Sequence, residues 1–176
     1  MPLKLLSTWQ RHHGPWAWAL SGIVTPRFVP GRFSLDRQSL IELFHDGAGR
    51  VLSGANCKNH PEAATFAAAD HPDDCVPVVS AIDDPVRHLR VGYQRFDAAL
   101  TARAASEESF EVTAGFRPAL SECPVRFRLQ PAARYRQSVE LDGVRRELGD
   151  EDWSETDVRE LRWGNVAISF DGPAAV

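Results

Sequence analysis

Lysine is nearly missing from this chain of 176 residues: Lys4 and Lys58 are the only two, and the remaining positive charge is arginine. Its planar guanidinium pairs with carboxylates and phosphates in a fork, and its stem packs on aromatic rings, so ion pairs here should be arginine-based. Cysteine is also scarce, at Cys57, Cys75 and Cys123. So few thiols, odd in number, do not describe the disulfide scaffold of a small secreted protein and point to a reducing, cytoplasmic setting. No apolar run reaches the length of a membrane-crossing helix. The opening stretch is interrupted by Ser7, Thr8 and Gln10, too early for the apolar segment of a secretory signal.

Several motifs are missing as well. There is no phosphate-binding P-loop, no dinucleotide-binding glycine fingerprint, no Gly-x-Ser-x-Gly elbow and no His-Glu-x-x-His, which argues against nucleotide-driven and triad chemistry. Lys+Arg total 20 against 24 Asp+Glu, a formal charge of -4, so no global field favours nucleic acid or an anionic membrane. What is present is apolar material: 43% hydrophobic residues, with 9 Phe and 5 Trp. That suffices for one ordinary domain over 1–176, with a tail at 172–176 expected to fray.

The apolar residues recur mostly at strand period, with turn residues between, which predicts an all-β, mainly antiparallel domain. Trp16, Trp18 and Leu20 alternate with Ala17 and Ala19, and Asp46-Gly47-Ala48-Gly49 reverses the chain between two apolar runs. Leu89, Val91 and Tyr93 share one face. The parity shifts at Phe96, Ala98 and Leu100, which suggests a bulge or bend near Gln94-Arg95. Asp142-Gly143 is a hairpin signal between Val139/Leu141 and Val144. One short helix is expected near 61–69, where Pro61 and Glu62 suit a first turn. The whole suggests a barrel-like or two-sheet architecture.

Four constellations carry candidate chemistry. Cys57-Lys-Asn-His60 and His71-Pro-Asp-Asp-Cys75 supply two thiols and two imidazoles that suit a structural zinc clip, with ordinary loop residues or a Cys57–Cys75 disulfide as alternatives. No other cofactor is expected. Glu42 stands among Leu40, Ile41, Leu43 and Phe44; burial among them would favour its neutral form and a general acid or base role, whereas an edge position or an arginine partner would make it structural. Trp9, His12, His13, Trp16 and Trp18 suit a ligand pocket with imidazoles to move a proton, or a packed core. Finally, seven arginines between 117 and 146 precede seven acids between 147 and 162, either a solvated face or an anion- or protein-binding surface.

Two resemblances are carried by short stretches. Gly14-Pro15-Trp16 resembles the glycine-any-tryptophan signature of lipocalins, which implies a barrel around a small apolar ligand. Pro30-Gly31-Arg32, with Leu40-Ile41-Glu42 and Ala48-Gly49, is similar over about twenty residues to the central-helix stretch of hot-dog acyl-carrier-protein dehydratases. That resemblance implies an α+β hot-dog fold with Glu42 in the acidic catalytic position. Phe28 or Arg27 stands where that family has a histidine.

The leading expectation is a β-barrel binding a small apolar molecule through Trp9, Trp16 and Trp18. Its chemistry would be cofactor-free proton transfer (cyclisation, isomerisation or dehydration) by Glu42 with His12 or His13. The alternative is a protein-interaction module, such as an inhibitor or immunity-type protein, using its charged surface. An enclosed cavity favours the first and a filled interior the second.

Overall fold

The computed structural model describes residues 6–23, 40–52, 64–71, 75–83, 88–119, 123–132, 138–147 and 157–174. The protein is all-β. Its sheets are antiparallel, and among the described residues none closes into a barrel. No helix occurs among the described residues, and none long and apolar enough to cross a membrane. The chain divides into two compact units, Met1–Gln130 and Pro131–Val176.

In the first unit, β1 (Leu6–His13), β2 (Trp16–Ile23), β3 (Ile41–His45) and β4 (Gly49–Leu52) form one sheet in sequence order. Gly14 turns β1 into β2 at φ 55°, a left-handed conformation in which a side chain is disfavoured. The turn before Gly49 (φ 76°) closes the β3–β4 hairpin expected at 46–49. Strand and turn therefore occupy 41–49, the described part of the stretch where a hot-dog fold would need helix, while Pro30-Gly31-Arg32 lie outside the described residues. The other large sheet orders β6 (Val79–Asp83), β7 (His88–Gly92), β8 (Phe96–Ala104) and β9 (Phe110–Pro118) in sequence.

Of the bulge or bend expected near Gln94-Arg95, the structure has the bend, which reverses the chain between two strands and shifts the parity at Phe96. Tyr93 N–H donates to Phe96 O at 2.8 Å, and Gly92 then faces Asp97 across the β7–β8 ladder. Both faces keep their alternation, with Leu89 and Val91 buried on β7 and Phe96, Ala98, Leu100 and Ala102 buried on β8.

The core of this unit lies between the two sheets. Trp16, Trp18, Leu20, Ile41 and Leu43 are buried from one side and Leu89, Val91, Phe96 and Leu100 from the other. Burying a large apolar side chain contributes about 1.5–3 kcal/mol, so this layer is the principal source of cohesion. Gly22 marks a close approach, for a Cβ there would sit 2.7 Å from Ser80 Cβ.

The short helix expected over 61–69 is corrected by the structure. Positions 61–63 lie outside the described residues, and the rest contains β5 (Phe66–Ala68), paired with β10 (Val125–Phe127). Alanine-rich composition favours helix only weakly, and pairing with a distant strand overrides it. Thr65 Oγ1 also accepts from Leu40 N–H at 2.9 Å, which ties this segment to the start of β3.

In the second unit the sheet order is β12-β11-β13-β14, from β11 (Ser138–Leu141), β12 (Val144–Glu147), β13 (Val158–Trp163) and β14 (Val166–Ala174). Asp142 (φ 47°) and Gly143 (φ 82°) make the expected two-residue hairpin turn with both central residues left-handed. The Asp142 carboxylate further accepts from the backbone N–H groups of Arg159 and Glu160 at 3.0 and 2.8 Å, pinning β13 beside the turn. Val139, Leu141, Val158, Leu161 and Trp163 are buried. β14 includes 172–174, part of the segment expected to fray.

Candidate functional site

Trp16 and Trp18 belong to the packed interior, at 7% and 6% exposure. Trp16 Nε1 donates to Ser106 O at 2.9 Å, and its ring lies 4.5 Å from His45 and 5.2 Å from Phe110. Trp18 stands edge-on to Phe110 at 5.0 Å and to the half-buried Trp9 at 5.8 Å. Such aromatic pairs add about 0.5–1.5 kcal/mol beyond area burial. The 105–109 loop reaches this cluster twice, for Glu107 O also lies 3.2 Å from His45 Nε2.

Glu42 is exposed, which corrects the expectation that both faces of its strand are buried. Ile41 and Leu43 point inward, while Glu42 and Phe44 point outward, Phe44 with 44% of its surface exposed. Leu40 is buried but precedes the strand.

The outer face of β1–β4 nevertheless gathers two of the residues singled out from sequence. Register places His12 opposite Ala17, Ala17 opposite Phe44 and Phe44 opposite Arg50, one continuous cross-strand row. The next row runs Gln10, Ala19, Glu42. Small residues on central β2 flanked by longer side chains leave an open recess of about 480 Å³, lined by Gln10, His12, Ala17, Ala19, Glu42 and Arg50 among others. Its rim carries an amide, an imidazole, a carboxylate and a guanidinium, a set that both donates and accepts. His13 is exposed and pairs with Trp16, so by strand alternation it stands on the opposite face from His12.

A second open recess, of about 450 Å³, lies on the outer face of β6–β9 over Ala81, Gly92, Ala99 and Gly115. Beside it Asp83 holds Arg90 at 2.6 Å and His88 at 3.1 Å. Sequence reasoning missed this trio, although residues 83, 88 and 90 come within reach of one another once β6 and β7 pair. It also missed Gln10, Ala17, Ala19 and Arg50, whose only signal was the strand alternation itself.

Of the zinc candidates, Cys57 and His60 lie outside the described residues. His71 is exposed, 3.7 Å from Asp70, and Cys75 is buried in an apolar cluster with Ala64 and Ala67. Among the described residues no group of three or more His, Cys, Asp or Glu could hold a metal. The charged stretch is divided: Arg126 is exposed on β10, Arg145 and Arg146 are exposed on β12, and Arg134, Arg136 and the acids at 150–155 lie outside the described residues. Comparison with protein-family models, curated proteins and solved structures finds no match to this chain.

Proposed function

We propose that this chain is an interaction module that binds a polypeptide segment on the outer face of β1–β4, in a reducing compartment such as the cytoplasm. The observation that carries the reading is the division of labour on β2. Its large residues, Trp16, Trp18 and Leu20, fill the space between the sheets, and its alanines, Ala17 and Ala19, floor an open recess. An enclosed apolar ligand would need the tryptophans to line a cavity, yet Trp16 is held by Ser106, His45 and Phe110. A shallow recess with a mixed rim suits an extended segment, whose backbone supplies donors and acceptors and whose side chains meet Glu42 and Arg50.

A second reading keeps the small molecule but moves it outside: Glu42 and His12 line the same recess and are the residues that would move a proton in a cyclisation, isomerisation or dehydration. The two readings separate on one experiment. A photo-crosslinking residue placed at Ala17 in the native host should yield one discrete polypeptide adduct, abolished when the recess is filled by Ala19→Arg, and the same probe at Thr113 should not yield it. No polypeptide adduct from Ala17, or the same adduct from both positions, overturns the module reading. In that case, loss of a co-purifying small molecule on Glu42→Gln would favour the second.

A further inference from the structure

β9 is an edge strand whose outward backbone groups can be identified. In an antiparallel ladder alternate residues bond to the neighbour, and those between them point their N–H and C=O the other way. Ala105 N–H donates to Ser109 O and Ala119 N–H donates to Arg95 O, at 2.9 and 2.8 Å, just beyond the two ends of the β8–β9 register. Both bonds join odd-numbered residues, so Glu111, Thr113, Gly115 and Arg117 bond toward β8. Phe110, Val112, Ala114 and Phe116 therefore turn their backbone groups to the opposite edge, where no described strand pairs with them. β10 comes near β9 but pairs with β5. Edges of this kind are usually blunted by an inward charge, a bulge or a proline. Here the outward row is apolar, Phe116 is 52% exposed, and proline enters only at Pro118, the last residue of the strand.

The strand is also complementary to itself. We propose that two copies of this chain pair through β9, antiparallel about a two-fold axis at Ala114, to make one continuous sheet. That register sets Val112 opposite the second copy's Phe116 and Glu111 opposite the second copy's Arg117. Within each copy Glu111 already accepts from Arg103 at 2.6 Å, and Arg117 donates to Asp97 at 2.9 Å. Pairing thus lines up Arg103, Glu111, the second copy's Arg117 and the second copy's Asp97 with strictly alternating sign, and symmetry repeats the row. Opposite charges across a strand pair stabilise and like charges destabilise. Moving the axis to Thr113 would place Glu111 opposite Gly115 and lose this match. An isologous contact of this sort closes at two copies. The inference is independent of the module reading, because it concerns a different sheet.

The test is the oligomeric state of the full chain by sedimentation equilibrium from micromolar to submillimolar concentration, where a reversible dimer is expected. Arg117→Glu sets a carboxylate against the second copy's Glu111, and Glu111→Arg sets a guanidinium against the second copy's Arg117. Each variant alone should dimerise at least about tenfold more weakly. An equimolar mixture of the two should recover the dimer, because both pairs across the junction between copies are then opposite in sign; the like-charge pairs that the substitutions create with Asp97 and Arg103 lie within a copy and are the same in the single variants and in the mixture. Ala114→Pro removes an N–H from the outward row and leaves the β8 ladder intact, so it should give a folded monomer by circular dichroism. A monomeric wild type, single variants that dimerise like the wild type, a mixture that stays monomeric, or an unaffected Ala114→Pro variant each overturns the proposal.

Discussion

Ser80 Oγ donates to Gly22 O at 3.1 Å, a contact between the two facing sheets of the first unit. A Cβ at position 22 would lie 2.7 Å from Ser80 Cβ and 3.3 Å from Leu89 Cδ1. β2 can approach β6 and β7 this closely only because position 22 has no side chain. Gly22→Ala should therefore destabilise the protein by about 1–3 kcal/mol, the usual cost of overpacking. Ser80→Gly in the same chain should recover a substantial part of that loss, although it also removes the hydrogen bond. Urea unfolding of the wild type, both single variants and the double variant measures this coupling. Strictly additive effects would mean that the two residues do not constrain each other.

Trp16 gives a second test, of whether its ring serves the core. Trp16→Ala removes the contacts with His45 and Phe110 and the bond to Ser106 O, and should cost about 3–5 kcal/mol. Trp16→Phe keeps most of the packing and loses the donor, and should cost about 1 kcal/mol. Hydrogen-exchange protection across β2 and β3 reports the loss locally. Unchanged protection in Trp16→Ala would place the ring outside the cohesive core.

The strands that could be read from sequence are those whose burial is one-sided and whose partners are near in the chain. Trp16, Trp18 and Leu20 on β2, and Phe96 to Ala102 on β8, alternate because one face meets the opposite sheet and the other meets water. Asp142-Gly143 was legible because few residues tolerate the left-handed backbone there. β5 was not, since Phe66, Ala67 and Ala68 are all buried and show no alternation, and their partner Val125–Phe127 lies far along the chain.

The site was legible in parts only. Glu42 and His12 could be picked out as chemically capable residues, but their facing depended on ladders that periodicity does not reveal. Glu42 is exposed because it aligns with outward Ala19, and the buried Leu40 lies before the strand. β1 was hidden because its outer row, with Gln10 and His12, is polar, and its inner row holds Arg11 and His13 beside Trp9. Trp9 suits either a pocket or a packed core by its sequence, and the structure sets its ring edge-on to Trp18 at 5.8 Å.

The last prediction concerns pH and the second unit. Arg162 donates to Glu160 through Nε and Nη2 at 2.6 and 2.9 Å, a two-pronged pair on β13. This hydrogen bonding outweighs the opposing effect of burial and, with a lesser contribution from the charge of Arg162, holds the Glu160 carboxyl below its ordinary value. A carboxyl whose folded pKa is depressed adds stability that is complete above the unfolded value and is lost as pH falls through the folded value. Because the pair is solvent-exposed the effect on stability should be small, so the sharper measurement is the titration itself. An NMR titration of the Glu160 side chain should give a midpoint below that of an unpaired glutamate, and Arg162→Gln should raise it. High salt should raise it only part of the way, since the hydrogen bond outweighs the through-space attraction. A midpoint that Arg162→Gln leaves unmoved would show that the pair does not persist in solution.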